Sequence, residues 1–269
     1  MSPRRISEGS GARPGRPARI SRSAIIETVL DLGFDAATTS TVAERLGVDQ
    51  STLYGHVRNR ADMLDAAAEE AIRRIEMPQP DGGWRSYARS CTEAIWDIYE
   101  RVPGLSRYLR TTMSTPPTMI THAATMMQTL IDLTGCSEYL AALVVDTIGD
   151  MVTDSHLMIT ALDAPVAGIP GTPTGRERAS AIVDSGASDA TDASDATDRF
   201  AHIMFEAMGT PEAPSTWWRD KIDLVLDGVA HRLAEPGRSG SDPEGPGGDG
   251  RPDHPDHDRP HDRGGHGFA

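Results

Sequence analysis

Between Thr38 and Leu64 the chain reads TTSTVAERLGVDQSTLYGHVRNRADML, a stretch whose spacing restricts it to short helices meeting at a tight turn. Val42, Ala43 and Leu46 make the apolar face of a first helix, with the small Ala43 allowing close approach of a neighbour. Gly47 ends that helix where a positive φ is expected. Val48 follows as a turn hydrophobe and Asp49 is placed to cap the next helix. Leu53 and Val57, four residues apart, turn this second helix inward. Gln50, Ser51, Thr52, Tyr54, Gly55 and His56 are left facing outward. Such a face suits a major groove, where Gln can read adenine and Ser or Thr can reach bases or phosphates. The alternative is any small helical pair with a solvated polar side. Arg58 and Arg60 flank the start of the following helix, where the macrodipole disfavours cations and a phosphate partner would compensate.

The rest of the chain also reads as helix. Ile25, Ile26, Val29, Leu30 and Phe34 recur at helical spacing, with Ser21 or Ser23 as the cap and Gly33 near the stop. Further helices are expected over 61–76, over Trp84–Val102 up to Pro103-Gly104, and from Pro116-Pro117 to about Gly135. Two long amphipathic segments, 137–160 and 214–235, and a shorter one at 198–208 complete the set. No alternating run argues for a strand, so the expected fold class is all-α. Residues 1–20, 163–197 and 236–269 have compositions that bury too little apolar surface to offset chain entropy; the last holds 15 Gly or Pro in 34 positions. They are expected to be a disordered arm, a flexible loop and a disordered tail.

The net charge of −14 argues against a nucleic-acid partner only as an average. Residues 1–60 carry 9 Arg and 6 acids, a net of +3, and the remainder carries −17. A basic arm leading an acidic body fits a nucleic-acid contact at one end, or a solvated tail. No apolar run approaches the ~20 residues of a membrane helix. No secretory signal opens the chain, so a cytoplasmic location is expected. Cys91 and Cys136 are too few for a disulfide framework and lack the spacing of a zinc site, so no metal or cofactor is expected. No nucleophile–base pairing, HExxH or phosphate-binding loop is visible, and the chain is expected not to be an enzyme.

The 38–64 stretch resembles the DNA-binding domain of the tetracycline-repressor family. The shared elements are Thr39, Val42, Ala43, Leu46, Gly47 and Val48, then Ser51 to Tyr54, His56, Val57, Asn59, Arg60 and Leu64. This resemblance implies a helix-turn-helix domain over 21–66 and a ligand-binding and dimerisation domain over 67–235. It implies DNA contacts from Thr39, Ser40, Gln50, Ser51, Thr52, Tyr54, His56 and Arg60. Arg13, Arg16 and Arg19 of the arm would add phosphate or minor-groove contacts. It further implies a homodimer on a palindromic operator, released by a small-molecule effector. A constitutive DNA-binding regulator without effector is the alternative. In such proteins the long segment before the loop and the last helix form a four-helix bundle with the second subunit. Here the interface would use Leu140, Val144 and Ile148 with Trp218, Ile222, Val225 and Val229, and Gly228 would permit a close crossing.

Residues 111–145 contain only two charged residues, Asp132 and Glu138, and eight of the ten methionines after Met1 lie between 113 and 208. Flexible methionines suit a pocket for apolar ligands, as they also suit ordinary core. Cys91, Ile95, Trp96, Tyr99, Met113, Met127 and Met151 are the candidate lining. Cys91 and Ile95 stand near where tetracycline repressors place drug-binding Asn and Phe, and no histidine near Leu109 is available for magnesium. The resemblance therefore implies a different, apolar effector. His122 and His156 lie elsewhere. Asp146, Asp150 and Asp154 recur at every fourth position, as a polar stripe in the pocket or a solvated face, and His254, His257, His261 and His266 could bind metal weakly.

Overall fold

Helices make up most of the computed structural model, which describes residues 20–165, 171–184, 192–209 and 216–234. The basic arm up to residue 19 and the His/Asp-rich tail lie outside the described residues. In chain order the helices are α1 (Arg22–Leu32), α2 (Thr39–Leu46), α3 (Gln50–Leu53), α4 (Arg60–Arg73), α5 (Trp84–Arg101), α6 (Leu105–Thr112), α7 (Pro117–Thr134), α8 (Glu138–Leu162), α9 (Gly175–Asp184), α10 (Asp192–Ala207) and α11 (Trp217–Ala234). Among the described residues there is no strand, only an isolated bridge between Pro165 and Thr174. None of the helices is long and apolar enough to cross a membrane.

The first three helices pack around the inner positions expected of them. Ile25, Val42 and Leu53 have no exposed surface, and Ala43 and Val57 have almost none. Ser21 caps α1 by accepting from the Ala24 N–H, and Thr38 caps α2 in a reciprocal box with Thr41. Gly47 takes the left-handed conformation, φ 65°, and its N–H returns to the Ala43 carbonyl. Asp49 stands at the N-cap of α3, but its side chain makes no capping bond there.

α4 leads from this small head into a larger bundle. The two parts meet where the α1–α2 loop touches the α5–α6 corner. The Phe34 N–H donates to the Pro103 carbonyl at 2.8 Å, and the Phe34 ring lies against Tyr108 with centroids 5.0 Å apart. Gly104 sits here with φ 80°, and a Cβ on it would come within 3.0 Å of the Asp35 backbone nitrogen. Only glycine satisfies both the dihedral and the approach.

In the bundle, α5, α7 and α11 surround α8. Trp96 of α5 stacks on Trp218 of α11 with ring centroids 4.4 Å apart and planes 6° from parallel. Three ion pairs fasten the same helices together: Arg85–Asp227, Arg89–Asp223 at 2.5 Å and Arg219–Glu93. Each is exposed, so they align α11 more than they stabilise it.

Three expectations need correction. Leu105–Thr112 forms a helix where none was expected. The 163–197 stretch, read as a loop, contains all of α9 and the start of α10. α9 is anchored by Arg176, which pairs with Asp163 and donates to the carbonyls of Met208 and Gly209. Several residues expected at a dimer interface are also already covered. Val144, Ile148, Trp218 and Ile222 are 0–4 % exposed within one chain and have no surface left to lose to a second. Leu140, Val225 and Val229 are half-buried. The uncovered apolar positions on these two helices include Leu224, 74 % exposed, and Met158.

Candidate nucleic-acid interface and internal cavity

The outer side of the head carries the polar residues the sequence assigns to it. Gln50, Ser51, Thr52, Tyr54 and His56 are exposed on and just after α3, with Ser40 exposed and Thr39 half-exposed at the start of α2. The Gln50 side-chain amide donates to the Thr39 hydroxyl, which brings the first turns of α2 and α3 together as one surface. Tyr54 projects from the end of α3, 52 % exposed although large and aromatic.

Arg60 has a different task from the one expected. Its Nε donates to the Ala37 carbonyl at 2.9 Å, and a terminal nitrogen donates to the Phe34 carbonyl at 3.2 Å. The guanidinium therefore ties the α1–α2 loop to α4. Nor is a phosphate needed to compensate the cations at the start of α4. Asp62 in its first turn accepts from the Arg22 guanidinium, from the Arg58 backbone N–H at 2.8 Å and from the Arg58 side chain. The Arg22 bonds, then the Arg58 N–H, hold the Asp62 carboxyl far below the usual carboxylate range. Arg22 also donates to the His56 carbonyl at 2.8 Å, pinning the end of the reading segment to α1. Arg58 keeps 86 % of its side chain exposed, and Arg45 at the end of α2 is exposed as well. The sequence sets both Arg58 and Arg60 opposite a phosphate, and only the carbonyls that Arg60 meets tell the two apart.

Inside the bundle lies an open cavity of about 770 Å³. Ile95, Tyr99, Met113 and Met127 line it as expected. Cys91, Trp96 and Met151 do not. Adjacent residues of a helix diverge by about 100°, so Ile95 faces the cavity while Trp96 faces Trp218. Cys91 is fully buried in the core, where burial pushes its thiol up to about 11. Lining residues missed by the sequence include Ile72, Leu109, Arg110, Met119 and His122, while Asp146 and Asp150 of the acidic stripe also line it. The apolar ones look like core in any periodicity argument.

Polar groups at the cavity are few. Tyr99 and Thr153 share a hydrogen bond of 3.0 Å, and Arg110 donates to Asp150 and Asp154 at 2.9 Å each. His122 Nδ1 is the one buried side-chain polar atom without a partner among the described residues. Burial lowers the His122 pKa against the opposing pull of Glu69.

The cavity wall is also wired to α4. Tyr108 and Ser114 donate to Asp65 at 2.7 and 3.0 Å, and the Thr118 N–H and hydroxyl both donate to Glu69. Met113, a lining residue between those donors, has φ 52°, the only positive φ outside glycine among the described residues.

A nucleophile–base contact absent from any sequence motif does form. Ser106 and His156 Nδ1 are 2.9 Å apart, and His156 Nε2 lies 3.4 Å from Glu100. Ser106 and His156 are 2 % and 4 % exposed, and neither lines the cavity. The chain of groups ties α5, α6 and α8 together and gives no substrate a path to the hydroxyl.

Comparison with known proteins adds the following. Residues 23–67 match the family model described as bacterial regulatory proteins, tetR family. The chain is 38 % identical over 80 residues to the tetracycline repressor protein class D of Escherichia coli, covering 27 % of this chain and 37 % of that protein. It is 39 % identical over 88 residues to the class A repressor from transposon 1721 of Escherichia coli, covering 29 % and 41 %. These matches thus span well under half the length of the repressors. In overall fold the chain is similar to apo ActR from Streptomyces coelicolor, with a TM-score of 0.63 and 18 % identity over 81 % of this chain and 98 % of that one. The TM-score to ActR in complex with actinorhodin is 0.61 at 20 % identity, over 81 % and 96 %. At that identity the likeness concerns the fold.

Proposed function

We propose that this chain, whose residues 23–67 match the model of the tetR family of bacterial regulatory proteins, is a homodimeric repressor that binds a palindromic operator and leaves it when a small molecule fills the cavity. The observation that carries this reading is the head itself: a dry inner side built on Val42, Leu53 and Val57, and a polar outer side built on Gln50, Ser51, Thr52 and Tyr54. Thr39, Ser40 and His56 extend the contact surface, and Arg58 takes the phosphate role expected of Arg60.

Release follows from how the cavity wall is connected. Asp65 and Glu69 on α4 are held by Tyr108, Ser114 and Thr118, which frame the cavity's Met113–Thr115 edge. A ligand that moves that edge moves α4, and with it the head through Arg60 and Arg22. It does so only to the extent that it favours the displaced arrangement, and a tenfold release needs about 1.4 kcal/mol of difference.

Dimerisation through α8 and α11 uses the faces that one chain leaves open, around Leu224, Val225 and Gly228. Leu224→Asp is expected to convert the dimer into a folded monomer in light scattering. Operator selection from random duplexes by the full chain tests the reading directly. The expected result is a palindrome with half-site centres about 10–10.5 bp apart. Enrichment of no sequence would overturn it. A search for small molecules that dissociate the selected duplex then tests the effector. Tight, magnesium-dependent tetracycline binding would show that the cavity's chemistry has been misread.

A further inference from the structure

The charges around the cavity are lopsided. Asp146 and Asp150 of α8 line it, Asp154 stands one turn beyond, and Glu69 of α4 acts electrostatically on the lining residue His122. Arg110 is the cation that faces the α8 acids, and its guanidinium is divided between Asp150 and Asp154 at 2.9 Å each. Asp146 takes no hydrogen bond or ion pair from the described residues.

We infer that the effector of this cavity is a lipophilic organic cation, its charge set against Asp146 and its apolar bulk among Ile95, Met119, Met126 and Met127. This rests on the reading of the cavity as an effector site. An anion would meet three carboxylates, Asp146, Asp150 and Asp154, against one guanidinium, and could recruit Arg110 only by drawing it away from two of them. These pairs are 40–58 % exposed, so parting them costs little by itself and the net negative charge of the wall sets the preference. A cation needs no such rearrangement. Asp146 supplies its counter-charge, as an ion leaving water requires. His122 adds to the selectivity. Burial keeps its ring neutral, so no positive charge opposes the ligand, and the unpartnered Nδ1 can accept from a ligand N–H when the ring proton is on Nε2. The five methionines at the cavity (77, 113, 119, 126 and 127) adapt to shape without specifying it, which suits a class of ligands more than a single one.

A matched pair of probes isolates charge from shape: tetraphenylphosphonium and tetraphenylborate, with triphenylphosphine oxide as the neutral reference. Calorimetric titration of the full-length chain is expected to give a Kd for the phosphonium at least ~10-fold below that for the borate. Asp146→Asn should reduce that preference several-fold, and Arg110→Gln should increase it. Equal or tighter binding of the borate or the neutral probe overturns the inference while leaving a working effector cavity. An unchanged preference in Asp146→Asn overturns it too, since the acidic body at large would then be attracting the cation. If none of the three binds, the inference and the effector reading fall together.

Discussion

The head and the body of this chain are both built of packed helices whose arginines pair within the protein, yet they fill their interiors in opposite ways. In the head, arginines are spent on the protein itself. Arg60 closes on two loop carbonyls, and Arg22 joins α1 to α4 and to the end of the reading segment. The interior is full, with Ile25, Val42, Leu53 and Met63 wholly buried. In the body, apolar side chains face an empty volume, and a buried imidazole nitrogen is left without a partner. A packed unit moves as one piece, whereas a hollow one has alternative arrangements that differ little in energy. On the proposed function, reading requires the first property and sensing the second.

That contrast can be broken first by truncation. Leu53→Ala is expected to cost about 2–5 kcal/mol, because the head has no slack to collapse into. Met127→Ala, on a wall that already faces empty space, should cost about 1 kcal/mol or less. Denaturant titrations of the two variants check this, and similar losses would erase the distinction. Tyr54→Ala should leave the melting temperature in place and weaken operator binding by about 1–3 kcal/mol, seen as a roughly five- to 150-fold rise in Kd.

The acid range sharpens the comparison from the side of the body. Burial lowers the His156 pKa from 6.5 to about 4. The unfolded chain therefore binds this proton more readily than the folded one between those values. The stability conferred by the neutral ring is present above pH 6.5 and is lost as pH falls through that window. His156→Gln should flatten the dependence of the melting temperature on pH from 6.5 to 4. The smallest effect separates two arginines. Arg58→Ala is expected to reduce the slope of log affinity against log salt by about 0.9, whereas Arg60→Ala should leave the slope and lower the melting temperature.

Much of the head was legible because its information is local. Gly47, the Leu53–Val57 pair and the outward run from Gln50 each declare their role within a few residues, and the structure places them accordingly. Trp84 to Arg101 was legible for the same reason, since its pattern runs unbroken to Pro103-Gly104. α6 was missed because Leu105 and Leu109 alone give too short a pattern between a turn and the αL residue Met113. α9 depends on Arg176 reaching Asp163 and the end of α10, contacts that no local pattern contains. The same holds at the candidate sites. Arg60 finds carbonyls more than twenty residues away. Cavity lining and core share one apolar alphabet, so only the rotation between Ile95 and Trp96 decides which is which. The dimer seam failed similarly, as Trp218 and Ile222 were read as facing a partner when α5 and α8 already cover them.

The stacked Trp96 and Trp218 also give the molecule an optical signature. Two indoles 4.4 Å apart and nearly parallel couple their electronic transitions, so circular dichroism near their absorption band should report their separation. One belongs to the helix that walls the cavity and the other to the helix offered to a second subunit. A spectral change on ligand addition would therefore register, without any attached dye, whether filling the body is felt as far as the seam.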